Sequence, residues 1–438
     1  MFLSHRLPAS TDTASPGSAG GRDGLIVHEA ILDASQQLVG YALHQPDAQD
    51  SIWDTEPSQW FAALTPAEQE TLGRDKTLFL RYAHPQIARG DLAQLEASDM
   101  VLNIPALPPA QLDQIPRYVP LLEEARRRGF RLAFDYAVLT PTYAEWLPLA
   151  SFIQFDLSIL KPEAIANFVK VARSRSHATL IATGVNSSAQ RDAIQALGVT
   201  LYRGSCFTLP PPFPERVVAE GQLAPLQLMD MVGQEADSTV IESWLKLHPS
   251  LSFELLRFIN SAGFGFRGEV RSFRHAVDLM GMRRLFKWAA LLLTRSIGPG
   301  TAPAVSTAAI VRGRLMELLA LAQAQGHAQG HDGSAPAGSP QAPASDTAFV
   351  VGVFSLLDAL LATDLATALG HISLPAEASD ALLHRQGPLA ALLSLTLACE
   401  SADTVAAGAL CNSLGLEIHQ VNAAHLQALA WAETLLAS

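Results

Sequence analysis

Polar residues that follow short apolar runs are the part of this sequence that could do chemistry. In the first half of the chain, such runs end at Asn103, Asp135 and Asp156. Carboxylate and amide oxygens are the ligands that Mg²⁺ accepts, and water bound to a divalent metal can attack a phosphoester at neutral pH. The same side chains could instead accept hydrogen bonds from loop amides and have no chemical role. Asp135 and Asp156 are therefore only weak candidates for metal ligands, and no metal site is predicted.

The apolar runs alternate with helical patterns, which is the arrangement of a mostly parallel sheet. The predicted strands are 26–32, 38–43, 77–82, 100–104, 131–135, 152–156, 180–183 and 200–202. The predicted helices between them are 110–128, 142–150, 162–174 and 187–197. About eight strands in roughly 190 residues favour a closed β/α barrel of the TIM type, whose site lies at the carboxyl ends of the strands.

The second half of the chain contains a helical stretch that begins at Pro249 and reads PSLSFELLRFINSAGFGFRGEVRSFRHAVDLMGMRRLFKWAALLLTR. Gly263 and Gly281 divide it into three short helices, because glycine adopts the positive φ that ends a helix. The Asn-Ser-Ala-x-Phe-Gly turn and the Gly-x-Arg-Arg-Leu helix resemble the HDOD family, the HD-related output domain of bacterial signalling proteins. The resemblance implies an all-α domain that makes protein contacts. Its predicted interaction surface consists of Asn260, Phe264, Arg274, Arg283 and Arg284.

Four segments of the first half carry a second resemblance. They read HEAILDASQQLVGYALH, LAFDY, FIQFDLS and LGVTLYRGSCFTLP, in this order, within residues 25–212. Together they resemble the EAL domain, a β/α barrel that hydrolyses cyclic di-GMP with divalent metals. The resemblance implies that the barrel mouth once held a metal-dependent site.

This chain departs from the EAL pattern at several positions of that mouth. The departures are Ala42, Gln154, Thr183, Asn186 and Arg203, which stand for a glutamate, a lysine, two glutamates and a glutamine. Alanine and threonine cannot replace a carboxylate ligand. With Asn103, Asp135 and Asp156 as the other vestigial positions, we expect a degenerate site with no catalytic residue, no cofactor and no enzymatic activity.

The expected function is therefore that of a non-catalytic bacterial signalling protein. The barrel would act as a sensor or dimerisation module, and the HDOD domain would be the protein-interaction output. Two alternatives stay open: a receptor that binds cyclic di-GMP weakly without hydrolysis, and a phosphodiesterase with residual activity. The partners would be other signalling proteins, and a homodimer is left open.

Composition excludes some other classes. The formal net charge is −12, which argues against a nucleic-acid binder because phosphate contacts need a basic face. Residues 266–287 are locally basic, and a solvated helix face explains this more simply than a binding site does. The amino terminus has no apolar core of a signal peptide, and no apolar stretch is long enough to span a membrane. We expect a cytoplasmic protein that does not bind membranes.

The chain is predicted to have four parts. They are a disordered tail (1–24), a degenerate EAL-like barrel (25–212), a proline-rich connector (213–221) and an all-α HDOD domain (222–438) with a mobile insertion (326–346). The insertion contains His331-Asp332, the dipeptide of HD phosphohydrolases. A mobile segment cannot hold metal ligands in fixed geometry, so we expect no metal site there.

Overall fold

The computed structural model describes most of both predicted domains. The described residues are 24–45, 60–61, 64–74, 76–89, 100–160, 162–209, 220–259, 273–296, 301–329, 345–370, 372–401 and 403–437. The predicted tail up to residue 23, residues 213–219 of the connector and residues 330–344 of the insertion lie outside these ranges. Residues 326–329 and 345–346, also predicted as insertion, belong to helices.

Eight strands close into a barrel in chain order. They are β1 (Val27–Asp33), β2 (Leu38–His44), β3 (Thr77–Arg81), β4 (Met100–Ile104), β5 (Arg131–Asp135), β6 (Phe152–Asp156), β7 (Thr179–Thr183) and β8 (Leu201–Arg203). The predicted barrel is confirmed, and all eight strands lie where the apolar runs placed them. Each run is short and bounded by turn residues, which is the pattern of a strand buried on both faces.

The first strand runs against its two neighbours. Strand β1 pairs antiparallel with both β2 and β8, whereas β2 to β8 are parallel. The loop between β1 and β2, residues 34–37, is too short for the crossover that a parallel pair needs. Asp33 Oδ1 stabilises this turn by accepting the amides of Ser35 (2.8 Å) and Gln37 (2.9 Å). The amino-terminal end of β1 therefore lies at the barrel mouth, beside the carboxyl ends of the other strands.

Five α-helices accompany the barrel strands in the described residues, and the first two of them were not predicted. They are α1 (Pro66–Arg74), α2 (His84–Arg89), α3 (Ile115–Arg127), α4 (Pro162–Arg175) and α5 (Ser188–Ala196). The helix predicted over 142–150 was wrong, because two 3₁₀ turns occupy that region, Pro141–Tyr143 and Leu147–Leu149. Pro148 has no amide hydrogen to continue a helix, which limits both turns to single short pieces.

The described residues of the second half form helices and the turns between them, with no strand. Its helices are α6 (Glu220–Gly233), α7 (Ser238–Leu247), α8 (Pro249–Ile259), α9 (Phe273–Arg295), α10 (Pro303–Gln329), α11 (Ser345–Phe354), α12 (Leu357–Leu361), α13 (Leu365–Leu369), α14 (Ala376–Ser379), α15 (Pro388–Ser401), α16 (Thr404–Leu414) and α17 (Ile418–Ala437). A π-helical turn, Asp380–His384, follows α14. Gly281 kinks α9 with φ 71°, as predicted from its position, while Gly263 lies outside the described residues.

The helical domain covers the outer face of β1 and β2. Buried apolar side chains of both domains form one continuous cluster, separate from the layer that fills the barrel interior. Buried polar contacts tie α17 to this face: Asn422 Oδ1 accepts the Ile26 amide at 2.8 Å, the Tyr41 hydroxyl donates to Glu433 at 2.8 Å, and His425 contacts the Ile26 carbonyl oxygen and His28. An uncovered apolar sheet face must be buried by another layer, and here helices from the far end of the chain do so. None of the described helices is long and apolar enough to cross a membrane.

Candidate ligand site at the barrel mouth

Side chains alternate along each strand, so the inward residues form two layers. The lower layer is apolar and includes Ile31, Ala42, Phe79, Val101, Ala133, Phe152 and Ile181. The positions two residues nearer the mouth are polar, because side chains two apart on a strand share a face. They are Glu29, His44, Arg81, Asn103, Asp135, Gln154 and Thr183, with Asp156 and Arg203 at the ends of β6 and β8. Ala42 therefore belongs to the lower, apolar layer, and its side chain is 3% exposed.

The mouth contains a carboxylate that the sequence analysis missed. Glu29 on β1 lies opposite Ala42 on β2, and its Oε2 is 2.6 Å from Nε of Arg203. Its Oε1 is also 3.9 Å from Nε2 of His44. The sequence analysis considered only the carboxyl ends of strands. The four-residue loop at 34–37 was the signal that could have found Glu29, since it forces an antiparallel hairpin.

The two aspartates at the mouth are held by the loops that follow them. Asp135 Oδ1 accepts the Ala137 amide at 2.7 Å, and Asp156 Oδ1 accepts both the amide (2.7 Å) and the hydroxyl (2.6 Å) of Ser158. Burial raises the pKa of Asp135, and hydrogen bonds from backbone amides oppose that rise. Through these hydrogen bonds the two carboxylates stabilise the loops that follow their strands, which is a common structural role of aspartate.

Three basic residues, His44, Arg81 and Arg203, lie on the same side of the mouth as Glu29. Burial and the nearby Arg203 lower the pKa of Arg81. Burial lowers the pKa of His44 to about 4, and the charges of Arg203 and Arg81 act in the same direction. His44 is therefore neutral at pH 7, and the arginines supply the positive charge on this side of the mouth.

The donor set does not fit the pair of divalent metals that the EAL resemblance implies. Two bridged metals need several free carboxylates pointing to one place. Here Glu29 is paired with Arg203, and Asp135 and Asp156 accept from loop amides. Within the described ranges, no group of three or more His, Cys, Asp or Glu residues could hold a metal ion. We therefore assign no chemical step to a metal at this mouth.

A cavity of about 560 Å³ opens at the mouth and is shared by the two domains. Its barrel wall includes Glu29, Asp156, Thr183, Asn186 and Arg203, and its opposite wall comes from α10 and α15. Asn186 is fixed on this wall because its Oδ1 accepts the amide and the hydroxyl of Ser205, at 3.2 and 3.1 Å. A volume in this range suits a small organic ligand or nucleotide. The structure thus brings two carboxylates, one hydroxyl, one amide and one guanidinium group of the mouth around one space.

The predicted HDOD interaction surface is described only in part. Asn260 and Phe264 lie outside the described residues. Arg274 donates to the Thr239 hydroxyl and lies 3.9 Å from Glu242, while Arg283 and Arg284 are exposed on α9.

The basic stretch 266–287 does not form one solvent face. Lys287 points inward, where it is ion-paired with Glu317 and lies over the Phe349 ring at 4.5 Å. Burial lowers the pKa of Lys287, and the Glu317 carboxylate opposes that effect. This lysine therefore belongs to the domain core rather than to a contact surface.

Comparisons with known proteins found a family model and relatives that match this chain. The HDOD domain model matches residues 226–309. The chain is 25% identical over 316 residues to the cyclic di-GMP phosphodiesterase CdgJ of Vibrio cholerae, covering 72% of this chain and 69% of that protein. It is 23% identical over 447 residues to the uncharacterized protein YuxH of Bacillus subtilis, covering 94% and 98%.

Solved structures resemble the first domain at low identity. The PaMucR phosphodiesterase in complex with c-di-GMP is 18% identical, with 41% of this chain and 88% of that chain covered and a TM-score of 0.31. An EAL domain protein from Listeria monocytogenes is 14% identical, with 42% and 86% covered and a TM-score of 0.33.

One sequence-based expectation is corrected by these comparisons. We predicted that the chain is not an enzyme, and the relative that matches 72% of it is named a cyclic di-GMP phosphodiesterase. The expectation rested on five departures from a motif, and departures from a motif do not by themselves show that a chain lacks activity. The HDOD recognition, in contrast, is confirmed. Residues 226–309 match the HDOD domain, and the chain joins this domain to a closed eight-stranded β/α barrel.

Proposed function

We propose that this chain is a cyclic di-GMP signalling protein that binds the dinucleotide in the cavity at the barrel mouth. The observation that carries the proposal is the shared cavity itself, in which Arg203 faces a space also bordered by Asp156 and Asn186. The similarity of the chain to a protein named a cyclic di-GMP phosphodiesterase supports the same ligand. The HDOD domain would carry the protein contacts of the pathway.

The cavity chemistry suits a guanine dinucleotide. A guanidinium group binds phosphate or the O6 and N7 atoms of guanine through two parallel hydrogen bonds. The Asp156 carboxylate would accept from the N1 and N2 hydrogens of guanine. Asn186 Oδ1 already accepts twice from Ser205, so its amide NH₂ group would donate to a base or phosphate oxygen of the ligand. In this role the Arg203 guanidinium would bind both Glu29 and the ligand. Removing the Arg203 side chain would therefore remove a charge-assisted hydrogen bond to the ligand.

The test is titration calorimetry of cyclic di-GMP into the full chain, with Mg²⁺ present and absent. Arg203→Ala should weaken binding by about tenfold or more, which is the usual effect of losing a hydrogen bond to a charged group. Arg127→Ala is the matched control. Arg127 is a 72% exposed arginine at the end of α3, away from the cavity, and it is ion-paired with Glu124 of the same helix. Absence of binding, or equal binding by the two variants, would refute the proposal.

Hydrolysis of the same ligand is the second candidate function. The observation that favours it is the name of the Vibrio relative. Chromatography of the calorimetry samples, incubated with Mg²⁺ or Mn²⁺, measures the linear dinucleotide against a control with metal and no protein. Product formation that Arg203→Ala abolishes would make the cavity an active site, and binding without product would make it a receptor site.

A further inference from the structure

One face of helix α10 borders the mouth cavity. Ala304, Thr307, Ala308, Val311 and Arg312 all line it, and their spacings of three and four residues place them along a single side of the helix. The end of α15 completes this wall with Leu397, Glu400 and Ser401. The wall contributed by the helical domain therefore has an apolar strip of small residues with a charged group at its end.

The barrel is open towards this wall because β1 extends beyond its pairing with β8. The two strands pair from Asp33↔Leu201 to Ile31↔Arg203, and residues 28–30 of β1 continue towards the mouth. In this interval the cavity is lined by His28, Glu29 and Ala30 on one side and by Gly204 and Ser205 on the other. A ligand in the mouth can therefore reach the helical domain between β1 and the turn that follows β8.

Arg312 is held rigidly at this opening. Its Nε and Nη2 donate to Glu400 at 2.8 and 2.7 Å, and its Nη1 donates to the Ser355 hydroxyl at 3.0 Å. The side chain is 8% exposed, so a positive charge is kept in a largely desolvated place. Such a charge is costly to bury, and its five N–H groups leave hydrogen-bond capacity beyond these three contacts. A fixed, partly satisfied guanidinium on a cavity wall is a preorganised anion contact.

We propose that Arg312 is the contact of the helical domain to the ligand in the mouth cavity, so that one ligand bridges both domains. The inference rests on the proposed cyclic di-GMP binding and adds its regulation. The apolar surface formed by Ala308 and Val311, next to Arg312, would receive the flat face of a purine, and Arg312 would bind a phosphate or the Hoogsteen edge of guanine. Because a ligand favours the conformation it binds better, occupancy of the mouth would stabilise the docked position of α10.

Two variants separate a ligand contact from a structural ion pair. Arg312→Gln and Glu400→Gln both remove the Arg312–Glu400 ion pair, but only the first removes the cation, and the second removes a negative charge from the cavity wall. If Arg312 contacts the ligand, calorimetry with cyclic di-GMP should show about tenfold weaker binding for Arg312→Gln. Glu400→Gln should bind as well as the wild type or more tightly. Equal weakening in both variants would show that the ion pair acts only on the structure and would overturn the inference.

Hydrogen exchange on the wild-type chain gives an independent readout. Adding cyclic di-GMP should slow amide exchange in residues 303–312 of α10 and 397–401 of α15, and not in α16, which does not line the cavity. Unchanged exchange in α10 at saturating ligand would overturn the inference even if Arg312→Gln failed to fold. Wild-type binding with an unaffected Arg312→Gln variant would refute the bridge and leave the proposed function intact, whereas no wild-type binding would refute both.

Discussion

Two buried histidines join the domains and should make the fold sensitive to acid. His425 Nδ1 lies 3.2 Å from the Ile26 carbonyl oxygen, and its Nε2 lies 2.7 Å from Nδ1 of His28. A carbonyl oxygen can only accept, so His425 carries its proton on Nδ1 and its Nε2 accepts from His28. Burial keeps both rings neutral at pH 7, because it lowers the pKa of each. Protonation of His425 at Nε2 would remove the acceptor that faces His28 in this arrangement.

The direction and size of the effect follow from the pKa values. Burial lowers the pKa of His28 to about 4, with Arg312 and His44 adding to the effect. Burial and His28 lower the pKa of His425 to about 3, while Glu400 opposes that shift. In the unfolded chain both titrate near 6.5. Below that pH the unfolded chain binds protons that the folded chain excludes, so stability falls as the pH falls. Between pH 7.5 and 5.5 the loss is about 1.3 kcal/mol for each ring.

The perturbation is the double variant His28→Asn with His425→Gln, which removes both titrations. Urea unfolding followed by tryptophan fluorescence at pH 7.5, 6.5 and 5.5 gives the free energy of unfolding. The variant should be less stable at pH 7.5, but its loss of stability on going to pH 5.5 should be smaller than the wild-type loss by about 2.5 kcal/mol. The exposed His177 serves as the control, because His177→Gln should follow the wild-type curve. Parallel pH curves for the wild type and the double variant would refute the reasoning.

Two further predictions concern packing and partner binding. Gly40 of β2 faces the Thr77 carbonyl of β3 with no room for a methyl group, so Gly40→Ala should lower the melting temperature strongly. Gly408 is at an open helical position, so Gly408→Ala should raise the free energy of unfolding by about 0.5–1 kcal/mol. Thermal melts of both variants test this, and equal effects on the melting temperature would contradict it. Reversing the charges of the exposed pair Arg283 and Arg284 to glutamate should reduce pull-down of signalling partners by the HDOD domain relative to Arg127→Glu, and unchanged capture would count against α9 as the contact surface.

The element positions could be predicted because they depend on local patterns. Strands β4, β5 and β6 begin and end at the predicted residues, since a short apolar run between turn residues is compatible with little else. The region 142–150 was mispredicted because its helical periodicity outweighed the prolines that break it. The HDOD turn was recognised from residue types alone, and the comparison with the HDOD domain model confirms that recognition.

The composition of the mouth could be predicted only in part. Its parallel strands contribute Asn103, Asp135 and Asp156, which a barrel prediction places at one end. Glu29 reaches the same place because β1 runs in the opposite direction, and this reverses which end of a strand carries the site.

The sequence by itself determined the strands, most helices, the barrel class and the HDOD motif, because these depend on residues close together in the chain. Only the tertiary structure decided that α17 covers β1 and β2 and that α10 forms a wall of the mouth. Asn422 and Ile26 are 396 positions apart, and Arg312 and Glu400 are 88 apart. No local pattern encodes such pairs, since they arise when two apolar surfaces are buried together and the polar groups caught between them must find partners.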